Sequence, residues 1–334
     1  MSLLKWSNFA YHAMQDLACI KSGENVLIFA DTNTDMDLAQ ACLSMALTLT
    51  SNAQLIVVRK MGRAEKAVMT EVAHHAILHA DVVVALCETR VMQSTALREA
   101  LQTRCRVIST TPPGIEDYLI KGVAEVNFDK MLHNAKIVSE LWRKTKVCRV
   151  TSAAGSDFTC EFTGRPVEIG DGAARKTGDI GFFPGIQINI APIEETINGI
   201  AVVDGSISPG GLVSTPVKLR LEAGKIVGID GGADATSWAA WLAAMQEPKV
   251  YEMCHFSVGM NPQAKMSGNM IQDERVVGAL TIGFGNQADS FQGKVGHCNF
   301  HVDAVLACPQ IYLDGVLMND GSKLNKALGF VDML

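Results

Sequence analysis

Short apolar runs alternate with helical stretches through the first half of the chain, and this alternation constrains the fold more than any other feature. The runs are Asn25-Val26-Leu27-Ile28-Phe29-Ala30, Leu55-Ile56-Val57-Val58, Val82-Val83-Val84-Ala85-Leu86 and Arg106-Val107-Ile108. Helical periodicity fills residues 35–49, 64–79 and 91–101 and returns at 129–144. A strand that is apolar without alternating is covered on both faces, as in a parallel sheet. Strands of that kind joined by helices form a doubly wound domain. The expected N-terminal domain is therefore α/β and spans residues 1–146.

Past residue 147 the pattern changes. Turn signals recur at Asn198-Gly199, Asp204-Gly205, Pro209-Gly210-Gly211, Asp230-Gly231-Gly232, Asp314-Gly315 and Asp320-Gly321. Short alternating runs lie between them, Val217 to Glu222 being the cleanest. They read as antiparallel hairpins. A β-rich, mostly antiparallel domain is expected over 147–334, interrupted by one helix from Ala235 to Met245.

Several function classes drop out early. No Gly-x-Gly-x-x-Gly follows the first strand, where Asp31-Thr32-Asn33-Thr34 stands instead, and no P-loop is present. The topology alone does not imply nucleotide binding. A net charge of −6 gives no basic footprint for nucleic acid. No apolar run of about 18 residues exists, so no membrane span is expected. Nine cysteines are scattered without a Cys-x-x-Cys, and the N-terminus lacks the pattern of a secretion signal, so a cytoplasmic compartment is expected.

Chemistry concentrates near the C-terminus, at His301-Val302-Asp303. In a strand, side chains two apart share a face, so this imidazole and carboxylate stand side by side. With a second histidine they make a 2-His-1-carboxylate face that leaves positions open on a metal. The spacing is not specific, since His79-Ala80-Asp81 repeats it between a helix and a strand, where a structural role is expected. His297 reads as a loop residue, His74 and His75 as surface, and Asp157 and Glu168 as turn or edge-strand carboxylates.

An ordered series of motifs carries a family resemblance. Ala154-Gly155-Ser156-Asp157-Phe158, Ala191-Pro192-Ile193-Glu194-Glu195, Val250-Tyr251 through Gly259 with Asn261-Pro262, Gly283-Phe284-Gly285, His301-x-Asp303 and Tyr312-Leu313-Asp314-Gly315 resemble M29-type metallo-aminopeptidases. The peptidase ligands are not kept. Gln187 and His255 stand where that family has glutamates, Thr281 where it has a histidine, and Asn286-Gln287-Ala288 where it has a tyrosine. A two-metal hydrolase needs bridging carboxylates. What remains, His255, His301 and Asp303, is similar to the 2,5-dihydroxypyridine 5,6-dioxygenase branch of the same superfamily, whose members use one Fe(II).

That resemblance implies a ring-cleaving dioxygenase acting on a hydroxylated aromatic or N-heteroaromatic with O₂, and a homo-oligomer. His255, His301 and Asp303 would hold Fe(II), although the same donor set also suits Zn or Mn. Gln93, Gln187 and Thr281 would be the polar catalytic or pocket residues. By the same resemblance Gln93 and Thr159 stand where the branch has pocket histidines, which leaves the substrate ring open. An M29-like aminopeptidase with a reduced metal site, or a non-catalytic descendant, are the alternatives.

Overall fold

The computed structural model of the protein describes residues 2–61, 68–89 and 91–334, with side chains from Leu4 onward. The chain divides into two compact units. The first comprises Met1–Val126 and Gly170–Gly185, the second Asn127–Ile169 and Ile186–Leu334.

The first unit is built on β1 (Val26–Asp31), β2 (Ala53–Val58), β3 (Val82–Leu86) and β4 (Arg106–Thr110), in the order β2-β1-β3-β4 and all parallel. Every residue of β1, β3 and β4 is buried, which is why β3 and all of β1 but Asp31 read as unbroken apolar runs, whereas β4 buries Arg106, Ser109 and Thr110 beside Val107 and Ile108. The connecting helices include α2 (Met36–Leu49), α3 (Glu71–His79) and α4 (Thr95–Thr103). Asp35, Thr70 and Ser94 cap their N-termini by accepting from Asp37, Ala73 and Leu97 backbone N–H groups. The expected helical run from residue 91 is divided at Ser94: a 3-10 turn over Val91–Gln93 precedes α4. Part of the run expected from Ala64 lies outside the described residues. Two helices absent from the sequence reading, α1 (Ser2–His12) and α5 (Glu116–Ala124), complete the unit.

After β1 the chain makes a polar turn. Asp31, fully buried, accepts from the Asn33 N–H at 2.9 Å and from the Thr89 N–H and hydroxyl at 2.8 Å. Its carboxylate ties the ends of β1 and β3 together.

The expected boundary at 146/147 is corrected in two places. Residues 170–185 return to the first unit, where Ile180–Phe182 adds a fifth parallel strand beside β4. Phe183 stacks on Phe9 with centroids 5.8 Å apart, and the Ala174 N–H reaches the Leu17 carbonyl at 2.8 Å. Conversely, α6 (Phe128–Lys144) belongs to the second unit. Its buried Trp142 packs against Phe162 at 5.4 Å and Phe256 at 5.8 Å, so its apolar face is committed to the later sheets.

The second unit holds two antiparallel sheets. One has eight strands, with Val147–Thr151 and Asp157–Glu161 near its middle. The other has seven, four of which matter here: β5 (Gln187–Ile190), β6 (Met253–Gly259), β7 (Leu280–Gly285) and β8 (His301–Leu306). They lie in the order β8-β7-β6-β5. Phe256 on β6 meets Phe158 of the other sheet at 6.4 Å and Phe162 at 5.6 Å, and these rings fill the space between the sheets. Since side chains alternate along a strand, the neighbours of Phe256 turn to the opposite face. The single longer helix after the first hairpins is α7 (Ala233–Ala244), close to its expected span.

Candidate metal centre

Opposite the aromatic layer, the seven-stranded sheet carries a polar face. Register sets its geometry. His255 on β6 pairs with Gly283 on β7, and Gly283 pairs with Asp303 on β8. The three residues form one row across three strands. Gly283 supplies no side chain between the outer two, so imidazole and carboxylate lean over it and meet. A Cβ at Gly283 would stand 2.1 Å from His255 Nε2. His301 sits two residues before Asp303 and pairs with Gly285.

These contacts bring the sequence-predicted donors together. His255 Nε2 lies 3.1 Å from Asp303 Oδ1 and 3.2 Å from His301 Nε2. His301 Nε2 lies 3.2 Å from the same Asp303 oxygen. The two imidazoles stack with centroids 5.1 Å apart and planes 9° apart. His255 and Asp303 are buried, while the His301 side chain keeps 39% of its accessible surface.

The surrounding hydrogen bonds fix which nitrogens carry protons. Ser257 Oγ donates to Asn189 Oδ1 at 2.8 Å and therefore accepts from His255 Nδ1 at 2.8 Å. His301 Nδ1 donates to the Asn286 carbonyl at 2.9 Å. Both Nε2 atoms thus present lone pairs, and they converge with a carboxylate oxygen on one point. Three acceptors facing one another repel unless a metal cation lies among them or, in its absence, a proton on His301 Nε2 bonds to Asp303. Ring N–H groups anchored away from the centre are the usual arrangement around metal-ligating histidines.

The spacing also fits an ion. Bonds of about 2.0–2.2 Å place neighbouring donors about 2.8–3.1 Å apart around an octahedral ion and about 3.3–3.6 Å around a tetrahedral one. The observed separations of 3.1–3.2 Å lie at the upper edge of the octahedral range.

Electrostatics follow from the same contacts. Burial holds the His255 pKa below its ordinary value, against the pull of Asp303. Burial also works against charge on His301, but the Asp303 carboxylate and Cys254 hold that pKa well above the usual value. Burial opposes ionisation of Asp303, yet His301 and His255 keep it below the carboxylate range.

Cys254 is the extra residue of a bulge between Met253 and His255. Cys254, His255 and His301 have donor atoms within 4.8 Å of one another. The Cys254 thiol, however, approaches His301 Nδ1, at 3.7 Å, on the side already engaged by Asn286. It is a neighbour of the three-donor centre and does not point into it.

The other candidate residues are dispersed. Gln187 begins β5, buried on the same sheet face, and its Nε2 donates to Glu274 Oε2 at 3.2 Å. Thr281 lies two residues before Gly283 on β7, fully buried, and its hydroxyl has no partner among the described residues. Gln93 ends the 3-10 turn of the first unit and is exposed. Thr159 is corrected: it alternates with buried Phe158 and Cys160 and so projects from the outer face of the eight-stranded sheet.

Among the minor carboxylates and histidines, Asp157 pairs with Arg149 at 2.8 Å, Glu168 lies on the edge strand Val167–Gly170, and His297 meets Asp289 at 2.9 Å in a loop. Asp81 accepts from the Asn25 N–H at 2.8 Å and pairs with Arg104 at 2.7 Å. His75 is exposed on α3, whereas its neighbour His74 is half-buried and meets it edge-on at 5.6 Å.

Two neighbours, Glu274 and Phe291, escaped the sequence reading, and Gly283 entered it only as part of a motif. Glu274 precedes Arg275, whose Nη1 donates to it at 2.5 Å, and burial pushes the Glu274 carboxyl up to about 7 against the pull of that guanidinium. Phe291 sets its ring 6.1 Å from that of His255. Gly283 is legible only once strand register is known.

Fold and site together define a protein with a parallel α/β unit and an antiparallel β unit, the latter carrying a candidate centre for one metal ion. The chain belongs to the 2,5-dihydroxypyridine 5,6-dioxygenase family, whose sequence model matches residues 6–326. The 2,5-dihydroxypyridine 5,6-dioxygenase of Pseudomonas putida KT2440 is 27% identical over 141 residues, a stretch covering 40% of this chain and 39% of that relative's length. The solved structure of the 2,5-dihydroxypyridine dioxygenase from Pseudomonas putida KT2440 superposes with a TM-score of 0.75 at 19% identity, covering 97% of this chain and 98% of the other. Wild-type AmpT from Thermus thermophilus superposes with a TM-score of 0.67 at 14% identity, covering 96% and 99%. Among the described residues no helix is long and apolar enough to cross a membrane.

Proposed function

We propose that the protein is a mononuclear non-haem Fe(II) dioxygenase that opens a hydroxylated N-heteroaromatic ring of the hydroxypyridine class, with O₂ as co-substrate. Family membership supports the reaction type. The observation that carries the metal reading is the convergence of two imidazole lone pairs and one carboxylate oxygen within 3.1–3.2 Å. His255, His301 and Asp303 would hold the ion. When bound, Fe(II) supplies a charge that favours the ring hydroxyl as its oxyanion, and open positions for substrate and O₂.

The chain's own residues do the remaining work. Ser257 and Asn286 hold the two rings in the tautomer that presents Nε2. Asp303 supplies the negative charge that a bare pair of histidines would lack. Gly283 keeps the space above its backbone clear. Thr281 and Gln187 are proposed to offer polar contacts to substrate or water. Neither can act as a general base near neutral pH, so the ring proton leaves by another route. The protein is further proposed to work in the cytoplasm as a homo-oligomer, with all nine cysteines free.

The test is O₂ consumption by protein loaded anaerobically with Fe(II) and offered a panel of hydroxypyridines. One O₂ consumed per ring lost is expected, and His301→Ala and Asp303→Ala should lose both iron and activity while remaining folded. Amine release from aminoacyl amides without O₂ uptake would overturn the reading in favour of an aminopeptidase.

A further inference from the structure

The loop between β7 and β8, residues 286–300, holds two phenylalanine rings, Phe291 and Phe300, and brings Phe291 to the candidate centre. Phe291 ends a 3-10 turn, Asp289–Phe291. Its ring centroid is 6.1 Å from that of His255, with the planes 32° apart. It is half-buried, unlike Phe256 and Phe284, which are fully enclosed. A core role would bury the ring, and a surface role would not aim it at a buried imidazole.

The loop is built to hold that ring still. Gln287, 2% exposed, donates through Nε2 to the Cys254 carbonyl at 2.7 Å, beside His255. Its backbone N–H reaches the Gly296 carbonyl at 2.9 Å, closing the loop on itself. Gly293 leaves room for that amide, since a Cβ there would lie 2.2 Å from Gln287 Nε2. Directly after Phe291, Gln292 adopts a left-handed φ of 53°. Arg165 donates to the Gln292 carbonyl and also pairs with Glu194, which fixes this conformation. A non-glycine residue held at positive φ beside a candidate site marks a position whose geometry is imposed by its surroundings.

We infer that Phe291 is a specificity-determining residue that stacks on the flat ring of the substrate beside the metal ligands. This deepens the dioxygenase reading and rests on it. A preorganised aromatic face selects planar, electron-rich rings and orients them without the cost of ordering a flexible side chain. Aliphatic or peptidic compounds gain nothing comparable from it.

The experiment compares Phe291→Ala, Phe291→Leu and Phe291→Tyr in iron-loaded protein. It reads KM, kcat, the anaerobic Kd for the best hydroxypyridine substrate, and iron content. The Ala variant should raise KM and Kd roughly tenfold, the scale of one lost aromatic contact. Leu should recover little of this and Tyr most of it, with iron content equal in all. If Kd stays at the wild-type value, or if iron content falls in step with it, Phe291 merely packs against His255 and the inference is overturned. A wild-type protein that consumes O₂ confines that failure to Phe291. A wild-type protein that consumes none with any ring removes the dioxygenase reading and this inference together.

Discussion

Gly283→Ala is the sharpest test of the proposed centre, because one added methyl group acts on the ligands and on little else. The new Cβ would stand 2.1 Å from His255 Nε2, 2.3 Å from Cδ2 and 2.9 Å from Cε1. Ordinary contact begins at 3.4 Å, so the imidazole must retreat by about 1.3 Å (3.4 − 2.1). Metal–ligand distances tolerate only about 0.2 Å, and functional geometries about 0.5 Å. Loss of a second-shell partner alone costs about 10–100-fold in metal affinity, and here one of three ligands is displaced. A loss of at least about 100-fold is therefore expected. The fold should survive. Gly283 lies in a strand and is absent from the residues with positive φ, so alanine suits its backbone. Overpacking costs about 1–3 kcal/mol, partly offset by removing a mid-strand glycine. Metal content after anaerobic loading, read beside a thermal melt, separates the two effects. A folded Gly283→Ala protein with full iron occupancy and rate would refute the three-donor centre.

Other perturbations probe the supports. Ser257→Ala removes the acceptor that fixes the His255 tautomer and should weaken metal binding about 10–100-fold with little change in melting temperature, measured by competition with a chelator. Protein stripped and refilled with Zn²⁺ or Co²⁺ should not hydrolyse leucyl amides, because Gln187 offers an amide where a bridging carboxylate is needed; a robust rate would contradict this. In the first unit, Arg106 is buried and donates to Glu24, to the Ala18 carbonyl at 2.9 Å and to the Cys19 carbonyl at 2.8 Å. Arg106→Ala should cost about 3–5 kcal/mol in denaturant unfolding. Burial opposes ionisation of Glu24, but Arg106 lowers its pKa overall. A depressed folded pKa stabilises above the unfolded value of about 4.3 and is lost as pH falls through the folded value. Acid unfolding of the wild type should therefore deepen below about pH 4, and Arg106→Ala should remove that contribution.

The sequence disclosed what is local. The strands β1, β3 and β4 were legible because burial on both faces leaves no polar alternation. His301 and Asp303 were legible because a two-residue spacing settles their shared face, whatever the rest of the chain does. The unit boundary was not legible. The apolar stripe of α6 has the same period whichever unit it covers, and only the contacts of Trp142 with Phe162 and Phe256 decide. The returning strand Ile180–Phe182 is three residues long and is held by backbone pairing to β4, so it leaves almost no compositional mark. His255 was identifiable only through resemblance, since a lone histidine in an apolar strand is ordinarily a core residue.

Register explains both what the sequence hid and how this fold can carry different chemistries. His255, Gly283 and Asp303 are separated widely in the chain, and nothing local says that they share a row. Once they do, the middle residue governs the site as strongly as the ligands, because its side chain would occupy the space where the donors meet. Two residues along the same face, Ser257 and Thr281 are paired across β6 and β7. Ser257 is committed to His255 and Asn189, while Thr281 keeps a buried hydroxyl with no partner among the described residues. One row thus supplies converging donors and the next supplies neutral polar groups. A second cation would need anionic or imidazole ligands in that next row. Ser257, Asn189 and Thr281 provide none, and the nearby Glu274 carboxylate is already engaged by Arg275 and Gln187, which is the physical reason for expecting a single-ion centre.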